Sequence, residues 1–380
     1  MSGPATAETD VLVVGGGILG AWAAYWLSKK RGLTVSLIEQ GEFPNSCASS
    51  SEVLKSFPLT YGKDSFATAV AAKSMPLWLE LNRESGQPIF ETIGFLELIS
   101  SDGREAEESL RILGELKLPI EKWDKARIQK RYPVIRSPGV KFGLFHPDGG
   151  IVWAGRAVSV LTALAQKAGV RLSPGTKAVS VLNGPEGVSG IKDSAGKIRR
   201  AKSYLFCAGA WTAELLKPWK IPLLVTCHDQ LYVRPPFNKG RYHPRIFPVL
   251  KSAKEGVCAF PLHFRGYLKI VDMKRGKPTK PGLLSAEEGS SFLRRSRAFF
   301  ARFIPELAEF TEWEGSQRAF ASTKDSNPII DRLPKAANAY VACGLGMESF
   351  GWAPLIARNL ADLAVGGRPS LNLQRFRLGR

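Results

Sequence analysis

The stretch VLVVGGGILG (11–20) joins an apolar, β-branched run to Gly15, Gly17 and Gly20 in G-x-G-x-x-G order. That combination leaves a chain few choices of fold. The run predicts a strand at about 10–15, the recurrence of apolar residues predicts a helix at about 18–30, and a second strand follows at about 34–39. In such a βαβ unit Gly15 permits a tight turn, Gly17 lets the backbone approach a pyrophosphate, and Gly20 allows the helix to pack closely on the strand. Ile18 and Leu19 open the helix, whose N-terminus offers unpaired N–H groups and partial positive charge to phosphate. Glu39 ends the second strand 19 residues past Gly20, with Gln40 beside it. A carboxylate there accepts hydrogen bonds from adenosine ribose hydroxyls and repels a 2′-phosphate, but the motif does not separate FAD from NAD.

At 380 residues, 44% of them hydrophobic, the chain predicts two to three domain-sized units around a large buried core. No segment reads as a low-complexity linker and no repeat has solenoid spacing. Cys47, Cys207, Cys227, Cys258 and Cys343 are scattered without CxxC spacing, which argues against a zinc site or a disulfide framework, and their odd number favours a reducing compartment. Residues 11–27 are apolar enough to resemble a signal or membrane span, but they hold the glycine cluster and continue into the nucleotide motif. The expectation is a cytoplasmic protein with no integral membrane segment. The formal net charge of +19 is dispersed, densest at 125–136 and 373–380, and reads as a solvated surface, with nucleic acid an unlikely partner. The four histidines show no metal-ligand spacing, so no metal is expected.

Along the chain, 63–86 predicts a long helix that Pro76 bends or divides. From about 88 to 145, strand-like pieces alternate with one amphipathic helix (103–116), the texture of an inserted second domain. A helix at 154–169 and an apolar strand within 201–211 return to the first texture. Short strands within 223–275, and a helix at 285–304 opened by a capping box of Ser285 and Glu288, resume the second. A strand into a glycine turn (338–346) and a helix (353–365) close the chain on the first domain. The expected division is 1–87, 146–222 and 318–380 for the nucleotide-binding domain, and 88–145 and 223–317 for the second.

Six segments carry a further likeness: SSSEVLKSFPLTYG (49–62), FGLFHPDGGIVW (142–153), LFCAGAWTAELL (205–216), CAFPLHFRGYLKI (258–270), RAFASTKDSNPIID (318–331) and GLGMESFGWAP (344–354). In that order they resemble the D-amino-acid oxidase superfamily of flavoproteins, in particular its monomeric sarcosine oxidase and N-methyltryptophan oxidase branch, over nearly the whole chain. The resemblance implies an α/β fold: a glutathione-reductase-type FAD-binding Rossmann domain with an interleaved α+β substrate domain built on a mixed, mostly antiparallel sheet. It implies an enzyme that takes a small-molecule amine or amino acid and moves a hydride from the carbon beside nitrogen to flavin N5. The products would be an imine and, with molecular oxygen as acceptor, hydrogen peroxide. A dehydrogenase or 2-hydroxy-acid oxidoreductase of the same superfamily using another acceptor stays open, as does a basic flavoprotein associated with nucleic acid.

The same resemblance assigns roles residue by residue. Ser49, Ser50 and Ser51 face the cofactor, and Lys55 matches an arginine that sits over the isoalloxazine, where a cation stabilises negative charge on the reduced ring. Lys269, nine residues after Phe260, matches the lysine implicated in oxygen activation, although the alternation of Tyr267, Lys269 and Val271 equally fits a strand lysine pointing outward. Val179, Ala208, Gly209, Trp211, Gly344, Gly346, Met347, Ser349 and Phe350 complete the expected FAD contacts. The family's covalent cysteine falls on Arg318, so FAD is expected to be non-covalent, with Arg318 beside it. Both cations of the family's carboxylate clamp are missing, replaced by Pro58 and Gly351. Either the substrate lacks that carboxylate or Arg265 or Arg318 holds it. Glu348 stands where sarcosine oxidases have a histidine; it touches the cofactor and holds a cationic amine, acts as a base or is simply exposed. Met273 and Trp352 are expected to line an apolar substrate pocket.

Overall fold

Val11 and Val13 point to one side of the strand Thr9–Val14 and Leu12 and Val14 to the other, and each pair joins a different core. This is the two-sided burial of a strand inside a layered sheet. The computed structural model describes residues 9–100, 102–235, 239–274, 276–282, 290–310 and 312–380. In it Thr9–Val14 lies within a six-stranded sheet in the order Ile329–Arg332, Ala339–Cys343, Ala201–Phe206, Thr9–Val14, Val35–Ile38, Arg171–Ser173. All neighbours are parallel except the first pair. Helices Ile18–Ser28, Ala154–Lys167 and Ala353–Ala364 cover one face, and a three-stranded antiparallel sheet (Ala178–Gly184, Gly187–Asp193, Ile198–Arg199) adds Val188 and Ile191 to the core on the other.

A second sheet of nine strands holds Phe95–Ile99, Glu121–Trp123, Phe142–His146, Leu224–Val233, Val249–Ser252, Val257–Leu262, Leu268–Asp272, Lys277–Pro278 and Trp313–Ser322. Its pairs are antiparallel apart from Val249–Ser252 against Phe95–Ile99. Trp313–Ser322 runs across the expected boundary at 318 and belongs to this sheet along its whole length. One face takes Leu96, Leu231, Leu250, Leu268 and Ile270 into a core with Phe299, Phe300 and Phe303 of helix Ser290–Phe303. The residues Ser285 and Glu288 of the expected capping box lie outside the described residues.

The opposite face of the nine-stranded sheet is the one that matters for the site. Phe95, Val249, Cys258, Phe260 and Val271 meet Leu54, Ile151 and Trp153 there. Leu54 belongs to the segment after the glycine motif. That segment forms a single 3₁₀ turn at Ser49–Ser51 and then a short strand, Lys55–Phe57, paired with Gly150–Val152, which also pairs with Phe90–Thr92. Helix Ser65–Ser85 follows unbroken, with Pro76 accommodated inside it.

Candidate active site

The glycine motif builds a cleft. Gly15 has φ +101°, and a Cβ on it would stand 2.6 Å from the Cys207 carbonyl oxygen, while one on Gly20 would stand 1.8 Å from the Gly15 oxygen. Helix and strands therefore approach as only glycine permits. Gly17 caps helix Ile18–Ser28 with no side-chain hydrogen bond, which leaves the helix amides facing the cleft for an anion. Glu39 is fixed at the other rim: Gly16 N–H donates to its Oε2 at 2.6 Å, and Asn45 Nδ2 and Gly41 N–H donate to its Oε1 at 2.8 and 3.1 Å. The cleft, about 300 Å³, is lined by Gly15, Gly17, Ile18, Leu19, Glu39, Gln40, Ser49, Ser50, Val179, Ala208, Gly209, Trp211, Gly344 and Gly346, among others. A helix N-terminus at one point and an anchored carboxylate at another fit a dinucleotide.

Leu345 and Gly346 also form a wall of a second, larger cleft of about 1,050 Å³. Met273, Phe320, Met347 and Glu348 line it and, in turn, border a small cavity of about 20 Å³ lined by the buried charged groups Glu52, Lys55 and Lys269. There Lys269 Nζ donates to Glu52 Oε2 at 2.6 Å and to the Leu54 carbonyl at 2.7 Å. Lys55 Nζ stands 2.8 Å from the same Glu52 oxygen, and Gln230 Nε2 donates to Glu52 Oε1 at 2.6 Å. Burial pushes the Glu52 carboxyl up, but Lys269 and Lys55 outweigh it and set it at about 2. For Lys55 burial prevails over Glu52 and brings the ammonium down to about 8, with Lys269 adding to the fall. The two shifts agree physically: Lys269 neutralises Glu52, so Lys55 is the surplus cation.

The amino-acid sequence matches the family described as "FAD dependent oxidoreductase" over residues 10–363. The chain belongs to this family. Human peroxisomal sarcosine oxidase is 25% identical over 98% of this chain and 96% of its own length. N-methyl-L-tryptophan oxidase of Salmonella newport is 27% identical over 98% of both. Among solved structures, the fold is that of L-proline dehydrogenase from P. horikoshii (TM-score 0.87, 23% identity, 97% of this chain and 96% of that one) and of glycine oxidase from Geobacillus kaustophilus (TM-score 0.82, 21% identity, 99% of both). The protein is thus an FAD-dependent enzyme, and its nucleotide cleft has the features FAD requires.

Within this family frame several residues stand elsewhere than their sequence reading placed them. Ser51 turns away from the cleft and donates to the carbonyls of Ser46 and Ala48, closing the 3₁₀ turn. Gly20 lies behind the cleft wall as packing. Met347, Glu348 and Ser349 line the large cleft, and Phe350 is buried against Trp78. Arg318 lies beside Lys55, on which its charge bears, with Nε buried and without a hydrogen-bond partner among the described residues. Arg265 is exposed at the tip of the turn between Leu262 and Leu268, away from all three cavities, because a tight hairpin directs its tip to solvent. Met273 and Trp352 do line the large cleft, and Trp352 Nε1 donates to Tyr61 Oη at 3.0 Å.

Three polar residues of the site were not foreseen. Glu52 holds both lysines, Gln230 donates to Glu52, and Lys251, on the wall of the large cleft, lies 3.7 Å from Glu97 and 3.6 Å from Glu348. Burial pushes Lys251 down, but the two carboxylates prevail and raise it. Glu348 is half-exposed there. Among the described residues no group of three or more His, Cys, Asp or Glu side chains is arranged to hold a metal ion, and no helix is long and apolar enough to cross a membrane.

Proposed function

We propose that this flavoprotein oxidises the C–N bond of a secondary amine or amino acid to an imine, with oxygen as acceptor and hydrogen peroxide as the second product. The observation that carries the proposal is the buried pair Lys55 and Lys269, set on one carboxylate where the large cleft meets the small cavity. The chemistry FAD supplies when bound is uptake of a hydride equivalent from the carbon beside nitrogen and delivery of two electrons to the acceptor. Lys269, 1% exposed, presents an ammonium fixed in advance where oxygen gathers negative charge on reduction.

The names of the relatives, sarcosine and N-methyl-L-tryptophan oxidases, support amine oxidation as the reaction class. The manner of binding differs from the family's carboxylate clamp. Pro58 is buried and carries no charge, and a side chain on Gly351 would meet the Phe57 ring at 2.5 Å. A substrate carboxylate at that place would lack its two partners. The cleft of about 1,050 Å³, at the upper end of small-molecule sites, accepts a bulkier amine, with Met273, Phe320 and Trp352 as apolar walls and Glu348 as a place for a cationic group. The odd, unpaired cysteines support work in the cytoplasm.

The test is turnover in air with a panel of sarcosine, N-methyl-L-tryptophan, L-proline, glycine, a fructosyl amine and N-methylbenzylamine. Equal amounts of hydrogen peroxide and of the carbonyl product of imine hydrolysis are expected for at least one of them. Carbonyl product formed only with a dye as acceptor would make the protein a dehydrogenase.

A further inference from the structure

An amine is oxidised through its nitrogen lone pair, yet in neutral water an alkyl amine carries a proton there, its ammonium form titrating near about 10 as lysine does. A protein acting on such a substrate needs a group that takes this proton. Lys269 is tied by two hydrogen bonds, to Glu52 and to the Leu54 carbonyl. Among the described residues Lys55 shares only the Glu52 oxygen, at 2.8 Å, and otherwise faces the rings of Phe320 and Phe350, whose centroids lie 4.1 and 5.7 Å from Nζ. One carboxylate serves two buried ammonium groups, an excess of charge that a dry site disfavours. The less tethered lysine is the one that can stand without its proton.

The surroundings bear this out. Glu52 favours the charged form of Lys55, Lys269 and Arg318 oppose it, His228 feels its charge, and Glu348 borders the same small cavity. That cavity, about 20 Å³ and lined by Glu52, Lys55, Gln230 and Lys269, has the room and the polar partners for one water between the lysines and the large cleft. Glu348, the other candidate base, is half-exposed and beside Lys251.

We infer that Lys55 is the proton acceptor for a substrate entering as an ammonium ion, and that Glu52 is the residue that positions it. The step rests on the amine-oxidation reading above. The substrate N–H bond breaks, its electron pair stays on nitrogen, and the proton becomes the third hydrogen on the Lys55 amine, directly or through one water. Nothing is oxidised in this step; the freed lone pair is what forms the C=N bond when the hydride leaves.

Lys55→Arg is the discriminating variant, since arginine keeps the positive charge but cannot take up a proton in this pH range. The rate of anaerobic flavin reduction by the panel amine that turns over is followed against pH in the holoenzymes. Wild type is expected to speed up with pH to a plateau above about 8, the range in which Lys55 loses its proton. Lys55→Arg is expected to lose that rise and to be slower by about 100-fold on the plateau. In Glu52→Gln the rise moves to lower pH, because the group that favours the ammonium is gone. Wild-type rate and profile in Lys55→Arg would overturn the assignment. If that variant fails to fold or to bind FAD, NMR titration of wild-type holoenzyme labelled at lysine Cε decides: a Lys55 signal titrating near 8 supports the role, and one still protonated at about pH 10 overturns it. Failure of every amine to turn over would defeat the amine-oxidation reading and this step with it, whereas an active enzyme with an unchanged Lys55→Arg profile defeats only the step.

Discussion

Lys269 illustrates what a single residue's pattern reveals and what it conceals. Its alternation with Tyr267 and Val271 is real, and Leu268 and Ile270 point into the core of the nine-stranded sheet. The other face, however, meets the segment after the glycine motif rather than solvent, which leaves Lys269 1% exposed. Period-two alternation identifies faces, and only the packing of a second layer decides which of them is wet. Glu52 was legible only as a carboxylate three residues before Lys55; nothing local signals that a lysine 217 residues away shares it. The residue-scale prediction follows from that sharing. Glu52→Gln leaves two buried ammonium groups uncompensated and should cost about 3–5 kcal/mol in chemical denaturation. The sign with pH is also fixed. Glu52 sits at about 2 in the fold against an ordinary value of 4.5, so its contribution is present above 4.5 and is lost as pH falls toward 2. The stability difference between wild type and Glu52→Gln should therefore shrink over that interval; a constant difference would mean the carboxylate is not held by the lysines.

The opening βαβ element was readable nearly to the residue, because its turn depends on contacts that are local or one strand away. Strand, turn and helix are found at Thr9–Val14, Gly15–Gly17 and Ile18–Ser28. Gly15→Ala is predicted to destabilise by about 1–3 kcal/mol from its φ alone and to purify with little FAD, since its Cβ also meets the Cys207 carbonyl. Gly32 supplies the control: its φ is +75°, but nothing lies within 4 Å of an added Cβ, so Gly32→Ala should keep full flavin absorbance. Comparable loss of FAD in both would show that backbone strain, not close approach, governs the cleft. Pro76 was harder to read. A proline inside a helical pattern signals a bend or a break, yet Trp78 two residues on is fully buried and donates to the Gly351 carbonyl at 2.8 Å. Such tertiary anchoring supports one continuous helix against the local preference.

At the scale of the whole molecule, the candidate site draws on two sheets, and neither sheet holds it alone. The six-stranded sheet carries the nucleotide cleft, the nine-stranded sheet supplies Gln230, Lys251 and Lys269, and the segment from Ser49 to Phe57 brings Glu52 and Lys55 between them. Sequence pattern conveyed the interleaving through alternating textures, but the contact between the layers depends on long-range packing that no short window contains. The net charge of +19 belongs to this scale too. Dispersed as it is, this charge forms a solvated surface, so the holoenzyme should pass immobilised duplex DNA at physiological salt, and retention with a slope of several charges against salt would contradict that reading. Lys269→Met should slow reoxidation of the reduced flavin by oxygen by about 100-fold in stopped flow, and should move the rise of flavin reduction to higher pH, because Glu52 then serves Lys55 alone. The most direct measurement of the central claim is a single anaerobic turnover. Yellow holoenzyme is mixed without oxygen with each panel amine, and the flavin absorbance and the carbonyl product are followed together. One amine is expected to bleach the flavin and yield one carbonyl per FAD; flavin that stays oxidised with every amine, but is bleached by a 2-hydroxy acid, would contradict amine oxidation.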